Sequence, residues 1–252
     1  MFPKTIVLSA LLLFGLSNAP APAPKAVPAE ALGPVKYEVH YILKGINTKV
    51  ADVAISLEDS KWNGQNALHS HAKINASSVF RLFMAAEYIA DAYLTTGGQE
   101  PLYSINPIKK GKNEGKFECI YDRDAKVVTS EFAPPSAKPV TGTYPLDGRT
   151  MDLLSLLQYV RFHDIPVGST LDMHLLMKGK CVAATLVNQG PDNDKFPGQS
   201  SERLFLKMLE MGLMENGSGN EITVWRSTNE NRLILGLETT LSSGAISVSF
   251  AE

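Results

Sequence analysis

The chain has 252 residues, with 24 Lys and Arg against 26 Asp and Glu, a net charge of -2 and 44% hydrophobic residues. That is enough apolar material for an ordinary core, and with no basic run anywhere it argues against a nucleic-acid partner or a purely electrostatic hold on membranes. Past the N-terminus no apolar run approaches the about 20 residues that cross a bilayer as a helix, so no transmembrane segment is expected in the mature chain.

The N-terminus reads as an address. Lys4 gives a short positive start, Ile6 to Leu16 form an apolar run, and small residues follow at Ser17, Asn18 and Ala19. Such a run, of roughly a dozen residues, has the form of a secretory signal peptide. Residues 1–26 are therefore expected to be a signal, and the product to be periplasmic or secreted. No cysteine follows the run to serve as a lipid anchor, and cutting after Ala19 or Ala21 would leave a proline at the first mature position. From Pro20 to Pro34 alanine and proline alternate, so residues 27–34 read as a semi-rigid polyproline spacer before a domain at 35–252.

From Val35 the apolar period becomes two: Val35, Tyr37, Val39, Tyr41 and Leu43 lie on one side, with Lys36, Glu38 and His40 on the other. That is a half-buried strand. A turn at Gly45 to Asn47 leads to Ala51, Val53, Ile55 and Leu57 on a second strand, so the pair reads as a hairpin. Further strands are expected at Asn66 to Asn75, Tyr88 to Thr95, Leu102 to Lys109, Phe117 to Tyr121, Lys126 to Phe132 and Leu171 to Lys178. The series continues at Cys181 to Val187, Arg203 to Leu209, Ile222 to Ser227, Arg232 to Leu241 and Ala245 to Phe250. Short strands between Gly, Asn, Asp and Pro clusters predict a mainly β fold, an antiparallel sheet or barrel, and not a βαβ fold.

One main helix interrupts the series. Thr150 is its expected N-cap, Leu153, Leu154, Leu156, Leu157 and Val160 follow at helical spacing, and Pro166 and Gly168 stop the run. Its apolar stripe, with Leu153, Leu156, Leu157 and Val160 buried, is expected to pack against the sheet. A shorter helical turn is expected near Ser78 to Met84. The proline-rich stretch Ala133 to Gly148 is read as a long surface loop placed to gate a barrel mouth.

Few residues carry chemistry. His69 and His71, at i and i+2 on one strand, share a face and have a spacing able to hold a transition metal, with His40 as a third candidate. The inward phase of Leu68, Ala72 and Ile74 puts both outside beside Lys73, so solvated histidines and no metal are expected. There is no GxSxG elbow, no HExxH helix and no recognisable Cys–His pair, so no catalytic residue and no cofactor are assigned. Glu118, Asp122 and Asp124 read as solvated carboxylates around a turn. Gly97, Gly98 and Gly111 to Gly115 lie between strands and not before a helix, which leaves a phosphate cradle unsupported. Asn75 and Asn216 open glycosylation sequons. The aromatics Tyr37, Tyr41, Phe80, Phe83, Phe117, Tyr159, Trp225 and Phe250 are expected to face mostly inward, as core or as cavity lining. Cys119 and Cys181 would meet an oxidising compartment, where a disulfide and two buried thiols both remain open.

In order, the segments VKYEVHYILKGINTKVADVAISL, FRLFMAAEYIADAYLTTGGQEPLYS, DLLSLLQYVR and ITVWRSTNENRLILGLETTLSSGAISVSF resemble the DUF3108 family of exported bacterial proteins of unknown function. The helix Asp152 to Arg161 and the hairpin around Trp225 to Leu235 are the most specific pieces. The resemblance implies a curved antiparallel sheet or partly open β-barrel with one main helix packed against it, and it brings no catalytic residues. Asp152 and Arg161 match the family in that helix and are read as favouring its N- and C-terminal ends. Function is left between three readings: an exported soluble protein binding an apolar or amphiphilic envelope ligand such as a lipid, an enzyme acting on envelope glycan or peptide, and a structural partner of an outer-membrane protein assembly.

Overall fold

The structure is a computed structural model that describes residues 33–78, 87–96, 100–110, 113–146, 149–209 and 219–251. The expected signal, nearly all of the spacer, most of the turn at Ser78 to Met84, and the residues Phe80, Phe83, Gly97, Gly98, Gly111 and Asn216 lie outside the described residues.

The strands are β1 (Val35–Leu43), β2 (Ile46–Trp62), β3 (Gln65–Ala76), β4 (Glu87–Thr95), β5 (Pro101–Lys110), β6 (Asn113–Asp122), β7 (Val127–Ala133), β8 (Val140–Pro145) and β9 (Thr150–Met151). After the helix α1 (Leu153–Phe162) come β10 (Thr170–Met177), β11 (Lys180–Pro191), β12 (Ser201–Met208), β13 (Glu221–Ser227), β14 (Ile234–Leu241) and β15 (Gly244–Ala251). All belong to one 15-stranded sheet in the order β8-β7-β6-β5-β4-β3-β2-β1-β15-β14-β13-β12-β11-β10-β9. Two antiparallel meanders, β1 to β8 and β10 to β15, are thus joined where β1 pairs with β15, Tyr37 opposite Phe250 and Val39 opposite Val248. The mainly β fold expected from the sequence, a curved antiparallel sheet or partly open barrel with one main helix packed against it, is observed as a nearly closed, barrel-like sheet.

The two ends of the sheet meet without edge pairing. Leu171, Met173, Leu175 and Met177 of β10 belong to the main core, whereas Leu176 packs with Cys119, Tyr121 and Val128 of β6 and β7. Because side chains alternate across a strand, Leu176 projects from the opposite face of β10, so the inner face of β6 and β7 covers the outside of the β10–β11 hairpin. Tyr144 of β8 donates from its hydroxyl to the carbonyl of Gly179 in that hairpin's turn at 2.9 Å. Gly179 has φ +75, and a Cβ there would stand 2.5 Å from the Val140 carbonyl oxygen. Only glycine fits both the turn and the close approach. The stretch Ala133 to Gly148, read as a gating loop, instead contains β8, which pairs with β7 from Val127 opposite Pro145 to Phe132 opposite Val140. Pro139 and Pro145 stand at the ends of that short, exposed edge strand, a position prolines tolerate.

Helix α1 occupies the interior. Its N-cap is Asp152 and not Thr150; Thr150 lies in β9, pairing in parallel with His174 of β10. Leu154, Ser155, Leu156, Gln158, Tyr159, Val160, Arg161 and Phe162 are all buried, so the helix is enclosed over most of its circumference and packs against the sheet on more than one face. Leu153 and Leu157, expected in the core, are only half-buried. Leu154 packs with Ala72 and Ala92, and Phe162 with Leu57, Leu68 and Leu94. Leu156, Tyr159 and Val160 join the main core with the β10–β13 side chains.

Candidate functional site

Polar groups hold both ends of α1. Asp152 Oδ1 accepts from the backbone N–H groups of Leu154 and Ser155, both at 3.0 Å, and its Oδ2 accepts from Ser155 Oγ at 2.6 Å and from the Tyr121 hydroxyl at 3.1 Å. An N-cap that also binds β6 fixes where the helix enters the barrel. Burial first, and then the Asp152 charge, push the Tyr121 phenol far above its ordinary range. Midway, Gln158 Nε2 donates to Ser70 Oγ of β3 at 2.9 Å, and Arg161 donates to Gln158 Oε1 at 3.3 Å. At the far end Arg226 of β13, 1% exposed, donates to the carbonyls of Val160 and, at 2.9 Å, of His163, while its Nε is held by Glu202 Oε1 at 2.8 Å. Asn188 ties Glu202 to the chain after the helix, donating to Glu202 Oε2 at 2.7 Å and to the Ile165 carbonyl at 2.6 Å. The guanidinium thus caps the negative end of the helix from the barrel wall. Arg161, read as supporting that end, turns instead toward Gln158.

The outer face of the first meander carries a second group of polar and aromatic side chains. His69 and His71 project outward from β3 as their phase required; His71 stands opposite Asp91 of β4 and His69 opposite Tyr93. On the other flank Glu58 of β2 faces His69. Asp91 Oδ1 lies 2.8 Å from both His69 Nε2 and His71 Nδ1, and Glu58 Oε1 lies 3.0 Å from His69 Nδ1. The His69 ring stacks on Tyr93, centroids 4.6 Å apart at 15°. Tyr93 and Tyr103 flank Trp62, which stacks on Tyr103 at 4.4 Å. Side-chain exposures of 16% for His69, 36% for His71 and 23% for Asp91 correct the expectation of solvated histidines in part: the phase is outward and His71 stays open to solvent, but neighbours cover His69. His40 does not join them; its Nδ1 meets Asn47 Oδ1 at 2.8 Å and its Nε2 faces Glu38. Among the described residues, His69, His71 and Asp91 alone bring three metal-ligating groups together, their donor atoms all within 4.8 Å of one another.

The remaining candidates have structural roles. Glu118 accepts from the Tyr103 hydroxyl at 2.6 Å and from Lys116 at 2.5 Å. Burial opposes its ionisation, but the hydrogen bonds from Lys116 and Tyr103 outweigh it and lower its pKa. Asp122 caps the β6–β7 turn through the Ala125 N–H at 2.8 Å, and Asp124 is exposed there. Cys119 and Cys181 both pack in the barrel seam and no disulfide joins them; burial first, then the Asp152 charge, push the Cys119 thiol up to about 12. Tyr37 and Phe250 face inward, edge to face at 6.4 Å, and Phe117 packs into the seam. Trp225 departs from the expected phase. It alternates with Val224 and Arg226, whose contacts are with the core and α1, and lies outside under the loop 192–200, donating to Asp192 at 3.0 Å beside Phe196.

These features define a barrel-like β protein with an enclosed helix. The family model described as "Protein of unknown function (DUF3108)" matches residues 36–250, and the chain belongs to that family. No curated protein matches it. Among solved structures it is similar to a β-barrel-like protein of domain of unknown function DUF1849 from Brucella abortus. The TM-score is 0.51 at 9% identity, over 88% of this chain and 97% of that one, a likeness of fold alone.

Proposed function

We propose that the protein is exported and acts in the cell envelope by binding or scaffolding and not by catalysis. The observation that carries this reading is the enclosed helix. The concave face of the sheet, where a small ligand or a reacting group would be sheltered, is lined by Leu154, Leu156, Tyr159 and Phe162 of the protein's own α1. The carboxylates that an envelope glycan- or peptide-acting enzyme would need are engaged elsewhere, Glu118 with Lys116 and Tyr103 and Asp122 in a turn. Export is supported by the charged start, short apolar run and small residues within 1–26, and a periplasmic or secreted location follows from it. No described helix is long and apolar enough to cross a membrane.

A second reading, an apolar or amphiphilic ligand held on the concave face, is favoured by the inward Tyr37 and Phe250 but must share that face with α1. Native mass spectrometry of protein purified from its own envelope tests both. The expected species lacks the leader and carries no lipid, alone or with a protein partner. A stoichiometric lipid would move the conclusion to the second reading, and a cytosolic product that still begins at Met1 would overturn export.

A further inference from the structure

We propose that His69, His71 and Asp91 bind a divalent transition-metal ion on the outside of the barrel. Three groups on two neighbouring strands present one donor atom each, all within 4.8 Å of one another. The pairing of His71 with Asp91 and the i, i+2 spacing of the histidines fix them on rigid, hydrogen-bonded backbone.

The hydrogen bonding itself calls for a cation. His69 faces Glu58 Oε1 through Nδ1 at 3.0 Å and Asp91 Oδ1 through Nε2 at 2.8 Å. A neutral imidazole has only one N–H, so once that proton serves one carboxylate, the other ring nitrogen turns a lone pair on a carboxylate oxygen. A second proton or a metal ion resolves the conflict. The metal also accounts for Glu58, which would hold the proton on Nδ1 and leave Nε2 to coordinate, as carboxylates behind ligating histidines do. Tyr93 fixes the ring plane by stacking on it.

Two imidazoles and one carboxylate suit zinc or a neighbouring first-row divalent ion, and not calcium or magnesium, which prefer all-oxygen shells. Bonds of about 2.05 Å in tetrahedral array set donor atoms about 3.3 Å apart. The two contacts of 2.8 Å from Asp91 would therefore open by about half an ångström on loading. Because the cluster lies on the outer face and His71 is 36% exposed, the remaining coordination position would face solvent and accept water or a donor from a partner.

Zn²⁺ and Co²⁺ titration of the purified protein, followed by calorimetry and by the visible absorption of bound cobalt, tests the site. One ion per chain is expected, with a raised unfolding temperature. His71→Ala and Asp91→Asn should each lower affinity at least tenfold, and Glu58→Gln, which keeps every ligand, by about 10- to 100-fold. His40→Ala, on β1 outside the cluster, should bind as the parent does. Absence of saturable binding at micromolar metal overturns the proposal, and so does binding that survives both His71→Ala and Asp91→Asn or is lost equally in His40→Ala. Circular dichroism checks each variant's fold; should a ligand variant unfold, the parent titration and Glu58→Gln still decide.

Discussion

The two walls of the barrel meet the same helix with different materials. On β3 and β4 the residues facing Leu154 and Gln158 are Ala72, Ala92 and Ser70, so this stretch of α1 approaches that wall with nothing longer than a methyl or hydroxyl group between, while Leu68 and Leu94 pack on Phe162 at its last turn. On β10 to β12 the facing residues are long: Met173, Leu175, Leu186, Leu204 and Leu206. The first wall works by close approach and tolerates no growth, while the second works by filling volume and tolerates no loss. Small inward residues on β3 and β4 let Leu154 and Gln158 come close to that wall, and the large ones opposite fill the space on the other side.

If the second wall also holds the helix end electrostatically, Arg226→Ala should have one of the largest effects. Removal leaves the half-buried Glu202 with Asn188 but without its guanidinium and takes the donor from the carbonyls of Val160 and His163, a loss of about 3 kcal/mol in denaturant unfolding. A change below about 1 kcal/mol would show that packing alone seats that end. Leu156→Ala, in the main core, should cost about 2 to 5 kcal/mol. Leu157→Ala, half-buried, should cost clearly less, and equal losses would mean that the helix is rotated from the described position. For the first wall, Ala92→Leu should destabilise by about 1 to 3 kcal/mol, because the added carbons must displace Leu154. A neutral or stabilising result would show slack between helix and wall and revive a cavity there.

Alternation in the sequence was enough to place nearly every strand, because a half-buried sheet writes its inward face at every second residue. It failed where burial does not follow hydrophobicity. Strand β8 is mostly exposed and bounded by prolines, so its pairing with β7 leaves no apolar signature. Thr150 and Asp152 are both capping residue types; the choice fell to Asp152 because Thr150 is taken up in the β9–β10 pairing. Arg226 looks like a surface residue beside Trp225, yet it points inward because the helix end offers it carbonyls. The outward phase of His69 and His71 was legible, but their third neighbour was not. Bringing Asp91 opposite His71 depends on the register of β3 against β4, and a two-residue slip would replace it with Tyr93 or Ile89.

Taken per pH unit, the smallest effect concerns how the helix leaves the two walls. His163, the C-cap residue, stacks on Tyr159 at 3.8 Å, with Nδ1 3.1 Å from the Tyr159 carbonyl. Burial lowers its pKa from 6.5 to about 4, the hydrogen bond to Tyr159 opposes the shift, and the charges of Arg226 and Arg232 add to it. Between those two values the unfolded chain binds a proton that the folded chain refuses, so stability falls as the pH drops from about 6.5 toward 4. This residue's share of the slope cannot exceed about 1.4 kcal/mol per pH unit. His163→Asn removes the titrating group, and its unfolding free energy should decline less steeply than the parent's across that window, the two curves running parallel above pH 7. Parallel curves throughout would mean that His163 titrates alike in both states, and that the Arg226 end of the helix is open to water.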